Sequence, residues 1–341
     1  MNIVPNTAWF TVNRSCNFRC KWCYAKGNGF ASEQTLTMEL AERLLEIVRE
    51  MGIKHITLIG GEPTLWKHLM DFNIKCQRVS IKTTLITNAY RFGNDDYWEQ
   101  YLQNPNDSVW ASLKAFDNDS AMELAKIPNF EVFKVGLRRT VDRFGNGVSF
   151  LCNSFVNGNL VSLARVAYEC GAKNIAISPC TPSFSDGKVD TVGMLPLGEL
   201  VASVTSQYEE INTLYAGRLT FAIKTPFCIW PKAFIEKLLE RKQLRATCQF
   251  QHRSGIVFDP TGQALACNSM ADFPMGMIDV DYSDAVSLIK LFNSDTVAHN
   301  YNYVNSYPSE RCVNCSQASR CRGGCPLIWT VYNAKESIPG W

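Results

Sequence analysis

The chain has 341 residues, more than one hydrophobic core usually serves, so a large catalytic unit with a smaller appendage is expected. Apolar residues at 46% and charged residues at 19% exclude a disordered chain. Thirty-four basic against 32 acidic side chains, a net +2, give no ground for nucleic-acid or anionic-membrane partners; no apolar run of about 18 residues offers a membrane span, and Met1–Phe10 shows no secretory signal.

Apolar, β-rich runs occur at Ala8–Val12, His55–Ile59, Ser80–Ile86, Ser108–Leu113, Gly147–Val156 and Asn174–Ser178. Helical patterns lie between several of them. In Thr37–Met51, Met38, Leu40, Leu44, Leu45, Ile47, Val48 and Met51 form an apolar stripe, with Thr37 placed to cap it and Gly52 to end it. Leu160–Glu169, followed by Gly171, reads the same way. Six strands alternating with helices predict an α/β fold with a parallel sheet, open or curled into part of a barrel. The pattern breaks at Gly187–Leu197 and changes after Pro226 to short strands and turns, as at Gly255–Phe258, Asp259–Gly262 and Gln263–Ala266. The expected division is therefore 1–222 and 223–341.

Fourteen cysteines without an export signal point to metal ligands or reactive thiols rather than a disulfide framework. Cys16, Cys20 and Cys23 have the spacing C-x3-C-x2-C directly after the first strand. Thiolates this close together need a metal to neutralise them. Zinc structural sites close with four ligands and no histidine lies in this loop. An iron–sulfur cluster held by three thiolates leaves one iron open to a cofactor or substrate. Trp22 is placed to shield it. After the second strand comes Gly60-Gly61-Glu62-Pro63, where two glycines permit close backbone approach to a ligand, or form an ordinary turn.

Together the cysteine loop and the Gly-Gly-Glu-Pro segment resemble the radical S-adenosylmethionine enzymes, over roughly residues 7 to 182. The resemblance implies a partial (β/α)6 barrel. It implies a [4Fe–4S] cluster on Cys16, Cys20 and Cys23, with the methionine end of S-adenosylmethionine chelating the open iron and its amine contacting Gly60, Gly61, Glu62 and Pro63. Ser112 and Lys114, at the end of the fourth strand, are candidate cofactor-facing residues. One-electron cleavage of the sulfonium would give a 5′-deoxyadenosyl radical that abstracts hydrogen from a substrate C–H bond, with an electron donor such as flavodoxin or ferredoxin.

Near the C-terminus, Cys248-x13-Gly262-x4-Cys267 precedes Cys312-x2-Cys315-x5-Cys321-x3-Cys325. The second block alone also fits a zinc knuckle. The joint pattern resembles the SPASM extension, which implies a small C-terminal iron–sulfur domain with one or two auxiliary [4Fe–4S] clusters. By position Cys248, Cys267 and Cys325 would hold the first, with Cys228 as the expected fourth ligand. Cys312, Cys315 and Cys321 would hold the second. The pattern's final cysteine is missing, since residues 326–341 contain none.

Cys76, Cys152 and Cys170 read as small buried hydrophobes. Cys180, just past the sixth strand, falls where a barrel's active site opens, and is either structural or a hydrogen-atom donor to a substrate radical. The resemblance implies modification of a ribosomally made peptide by crosslinking, epimerisation or oxidation, with epimerisation or dehydrogenation of a small molecule such as an aminosugar as the alternative. No leader-binding module precedes the cysteine loop, so peptide recognition is expected from the barrel mouth, the extension or a separate leader-binding protein. Oxygen-sensitive clusters without an export signal imply the cytoplasm.

Overall fold

The computed structural model describes residues 2–25, 34–145, 147–246, 248–304 and 308–338. Strand β1 (Thr7–Thr11) leads through helix α1 (Met38–Glu50) to β2 (His55–Ile59). The same repeat continues with α2 (Leu69–Arg78), β3 (Lys82–Thr87), α3 (Asp95–Gln103), β4 (Ser108–Ser112), α4 (Phe130–Phe144), β5 (Val148–Cys152), α5 (Leu160–Glu169) and β6 (Ile175–Pro179). The six strands lie side by side in chain order, each parallel to the next. Parallel neighbours require a crossover, and the helices supply it. This is the expected α/β architecture of a (β/α)6 partial barrel, with its loops gathered at the C-terminal ends of the strands.

Local chemistry sets the element ends. The Thr37 hydroxyl accepts from the Leu40 N–H at 3.2 Å, and Gly52, at φ +79°, takes the chain out of α1. The expected strand Gly147–Val156 stops at Cys152, because the Asn153 carbonyl side chain accepts from the Phe155 N–H at 2.9 Å and folds a local turn. The expected strand from Ser80 begins at Lys82, since Ser80 sits at φ +57°.

The sheet extends beyond six strands. After a hairpin of β7 (Ser183–Ser185) and β8 (Lys188–Asp190), helix α6 (Leu197–Leu214) leads to β9 (Leu219–Ala222), which pairs parallel with β6. Helix α7 (Lys232–Glu240) precedes β10 (Leu244–Arg245), which pairs with β9. On the opposite edge β11 (Gly255–Phe258) runs parallel to β1, and β12 (Gln263–Leu265) and β13 (Pro274–Met277) follow antiparallel. Strands from both sides of residue 222 therefore share one sheet. Helices α8 (Ala285–Phe292) and α9 (Asp295–Val304) complete the main elements. The core crosses the β1–β11 junction: buried Phe10 lies 5.8 Å from the Phe72 ring and edge-on to Phe258 at 5.5 Å. Among the described residues no helix is long and apolar enough to cross a membrane.

Candidate active site

The residues after β1 form a loop clamped from two sides. Its backbone N–H groups at Arg19 and Lys21 donate to Ala125 and Leu124, in the helical turn Ala121–Ala125 beyond β4. Phe18 is buried edge-on between Tyr90 and Phe133. Trp22 packs on Phe155, with ring centroids 5.9 Å apart. Within this frame Cys16, Cys20 and Cys23 are half-buried. The Phe18 N–H donates to Cys16 Sγ at 3.4 Å. Burial, the Glu62 carboxylate and the other two thiols push Cys16 up to about 12. Burial raises Cys20 to about 11, against the opposing charge of Lys114. These thiols stay protonated near neutral pH unless a metal displaces the proton, which suits them to ligation.

The Gly60–Glu62 backbone lies directly on the approach to this loop. The Gly61 N–H donates to Asn13 O at 2.9 Å and the Glu62 N–H to Ser15 O at 2.8 Å. A Cβ on Gly60 would sit 2.3 Å from Asn13 Oδ1, and one on Gly61 2.3 Å from Ser15 O and 2.4 Å from Arg14 O. Both glycines are thus required by the close approach of two backbone segments, a role not visible in the sequence. The Glu62 carbonyl already accepts from Asn13 Nδ2 at 2.9 Å and the Leu65 N–H at 3.0 Å, which leaves the Gly60 and Gly61 carbonyls as the acceptors that suit an ammonium group. The Gly60 carbonyl already faces the Tyr24 hydroxyl at 3.4 Å.

The Glu62 side chain faces inward. It accepts from the Thr64 N–H (3.0 Å) and hydroxyl (2.7 Å), the Thr87 hydroxyl (2.6 Å) and the Asn88 N–H (2.7 Å). It therefore ties the end of β2 to the end of β3. Burial pushes its pKa above the ordinary carboxylate range, against the pull of these four donors. The folded state then binds its proton more tightly than the unfolded chain, so this residue's contribution to stability falls as pH rises from the ordinary carboxylate value through the raised one. Glu62→Gln should flatten that part of the pH–stability profile. It should also cost about 1–3 kcal/mol at neutral pH by leaving a buried donor unmatched. The denaturant midpoint measures both, and an unchanged midpoint and profile would contradict the clamp.

Ser112 ends β4, and Lys114 lies close enough to Cys20 to act on its charge. Cys180 follows β6, and its N–H donates to Cys152 O at 2.9 Å. It lines a cleft of about 290 Å³ with Cys152, Lys224, Thr225 and Tyr332. Gly193, at φ +91°, fits between Cys180 and Trp22: a Cβ there would lie 3.4 Å from Cys180 Sγ and 2.8 Å from Trp22 Cβ. The cleft thus reaches the edge of the cysteine loop. Burial, first among its influences, raises the Cys180 pKa and keeps the thiol protonated.

The C-terminal cysteines form two neighbourhoods. Cys248, Cys267 and Cys325 act on one another, and Lys224 acts on Cys267 and Cys325. Asn268 Oδ1, next in the chain to Cys267, is buried without a partner. Cys228 does not join this group, contrary to the sequence expectation. It sits with Cys321, Cys312 and Cys315, because the Phe227 N–H donates to Cys321 Sγ at 3.3 Å. Among the described residues no three Cys, His, Asp or Glu converge closely enough for one metal ion. Tetrahedral zinc needs four ligands about 2.0–2.3 Å from one point, whereas a cluster takes one thiolate per iron. The cysteine groupings fit the cluster better.

Sequence reasoning missed Asn13, Thr87, Asn88, Lys224 and Gly193. Each acts through a contact between distant segments and belongs to no local motif.

Residues 10–153 match the Radical SAM superfamily model. A probable GTP 3′,8-cyclase of Thermococcus kodakarensis is 32% identical over 81 residues, which are 24% of this chain and 26% of that protein. An S-adenosylmethionine-dependent nucleotide dehydratase of Flammeovirga pacifica is 32% identical over 116 residues, 33% of this chain and 38% of that protein. The matched region thus spans well under half of these relatives. The crystal structure of Streptococcus suis SuiB bound to precursor peptide SuiA has the same fold, with a TM-score of 0.68 at 16% identity, covering 98% of this chain and 75% of that one. Native anSMEcpe with bound AdoMet gives 0.67 at 17% identity, covering 94% and 89%. Residues 10–153, which hold the cysteine loop, the Gly-Gly-Glu-Pro segment and the strands that carry them, are thus a radical SAM domain.

Proposed function

We propose that this chain modifies a peptide by radical chemistry. In this reading Cys16, Cys20 and Cys23 hold a [4Fe–4S] cluster, the carbonyls of the Gly60–Pro63 segment hold the amine of S-adenosylmethionine, and Ser112 and Lys114 face the cofactor. The two bound groups together supply a 5′-deoxyadenosyl radical able to take hydrogen from an unactivated C–H bond. The observation that carries the reading is the direct stacking of the Gly60–Glu62 backbone on Asn13–Ser15, the residues that lead into Cys16. Residues 1–222 form the radical domain. Residues 223–341 form a SPASM-type auxiliary domain on Cys228, Cys248, Cys267, Cys312, Cys315, Cys321 and Cys325. The enzyme works in the cytoplasm with a reducing partner such as flavodoxin or ferredoxin.

A peptide substrate is supported by two proteins of the same fold, SuiB bound to precursor peptide SuiA and anSMEcpe bound to a peptide. Action on a small molecule, such as an aminosugar, is the second reading. It is favoured by nucleotide-handling relatives.

The test sequences the DNA flanking the gene, takes a short peptide if one is encoded there, and incubates it anaerobically with the reconstituted chain, reductant and S-adenosylmethionine in D₂O. A crosslink or oxidation removes two hydrogens. An epimerisation in which Cys180 quenches the radical takes up one solvent deuterium. In that case Cys180→Ala should still form 5′-deoxyadenosine but lose at least 90% of deuterium uptake. Unchanged uptake would remove Cys180 from the chemistry. An unmodified peptide, with turnover of an aminosugar instead, would favour the second reading.

A further inference from the structure

Residues 326–341 contain no cysteine, and the structure brings another thiol to Cys312, Cys315 and Cys321. The turn at Thr225–Cys228 lies along the turn at Cys321–Cys325. The Cys325 N–H donates to Lys224 O at 2.7 Å, and the Phe227 N–H to Cys321 Sγ at 3.3 Å. A Cβ on Gly324 would lie 2.7 Å from both Cα and C of Thr225, so the two backbones are in direct contact. Gly324 sits at φ +77°, which further restricts this position to glycine.

Both turns are anchored. The Trp230 indole donates to Thr225 Oγ1 at 2.9 Å, and its buried ring stacks on Phe234 at 5.6 Å. On the other side the Gln251 amide donates to Arg322 O at 3.1 Å and Gly324 O at 2.6 Å. Cys228 follows the anchored Phe227 and is exposed. Cys315 is exposed, and Cys312 and Cys321 are half-buried. Backbone N–H groups already point at two of these sulfurs, Phe227 at Cys321 and Gln317 at Cys315 (3.4 Å), as they would at thiolate ligands.

We infer that Cys228 supplies the fourth thiolate of the cluster held by Cys312, Cys315 and Cys321. Its thiol proton leaves to solvent as the Fe–S bond forms. Cys248, Cys267 and Cys325 are then the set with three cysteines, and Lys224, which lines the Cys180 cleft, is beside it. The inference rests on the auxiliary-cluster reading above.

The test alkylates the anaerobically reconstituted full chain and its iron-free form, then maps the modified cysteines by mass spectrometry. Expected is joint protection of Cys228, Cys312, Cys315 and Cys321 in the loaded chain only. Alkylation of Cys228 while the other three stay protected overturns the inference alone. Alkylation of all four overturns it together with the second auxiliary cluster.

Iron analysis of double variants supplies an independent check. Adding Cys228→Ala to Cys312→Ala, which alone leaves three thiolates, should remove roughly four more irons per chain, one cluster. Adding it to Cys248→Ala should remove no further iron, because Cys312, Cys315 and Cys321 still hold theirs. The reverse pattern would assign Cys228 to the first cluster and overturn the inference. Cys228→Ser in the same backgrounds guards against misfolding of the alanine variant.

Discussion

Replacing Gly61 by alanine should lower 5′-deoxyadenosine formation at least 100-fold without touching a cysteine. The new Cβ would lie 2.3–2.4 Å from two backbone oxygens, Ser15 O and Arg14 O. Backbone oxygens cannot rotate away as a side chain would. The Gly60–Glu62 segment must separate from Asn13–Ser15, which stretches the bonds from Gly61 N–H to Asn13 O and from Glu62 N–H to Ser15 O. Overpacking of this kind typically costs about 1–3 kcal/mol, so the melting temperature should also fall. The larger effect falls on chemistry, because the separation disturbs both Asn13–Ser15, which leads into Cys16, and the carbonyls of the Gly60–Glu62 segment. Gly158→Ala is the control, since nothing lies within 4 Å of its Cβ position. Equal activity in the two variants would contradict the account of this loop.

Cys20→Ala should abolish 5′-deoxyadenosine formation while the chain stays folded. Three thiolates are the fewest that hold a cluster with one open iron, and the described loop offers no replacement donor of comparable softness. With both auxiliary clusters retained, iron should fall from roughly twelve to roughly eight atoms per chain. The fold should survive, because the loop is held by Phe18 between Tyr90 and Phe133 and by its N–H bonds to Leu124 and Ala125, not by the thiols. Iron content and circular dichroism together check this, and full retention of activity would remove Cys20 from the site.

The first half of the molecule was largely legible because its signals are local. The stripe from Met38 to Met51 with Thr37 before it, and the C-x3-C-x2-C spacing, each report on a few consecutive residues. Gly262 was legible for a similar reason: at φ +87° it closes the turn begun by Asp259 between β11 and β12. Strand β9 was missed because four residues, Leu-Thr-Phe-Ala, are too few to show a period. The parallel pairing of β11 with β1 depends on register across most of the chain and leaves no local mark. Gly60 and Gly61 were noticed for close approach, but what approaches them is the chain's own backbone at Asn13–Ser15. The neighbours of Cys228 were illegible for the same reason. Order along the chain placed it before Cys248, whereas the hydrogen bond from Phe227 to Cys321 sets it beside the other cluster group.

The central claim is that this chain cleaves S-adenosylmethionine reductively at the Cys16–Cys20–Cys23 loop. The most direct measurement is 5′-deoxyadenosine formed by the anaerobically reconstituted protein with dithionite and S-adenosylmethionine, beside the variant with all three cysteines changed to alanine. The account predicts 5′-deoxyadenosine from the first and none from the second. A protein that carries only zinc, or a cluster-loaded protein that forms no 5′-deoxyadenosine even with the neighbouring peptide present, would contradict it.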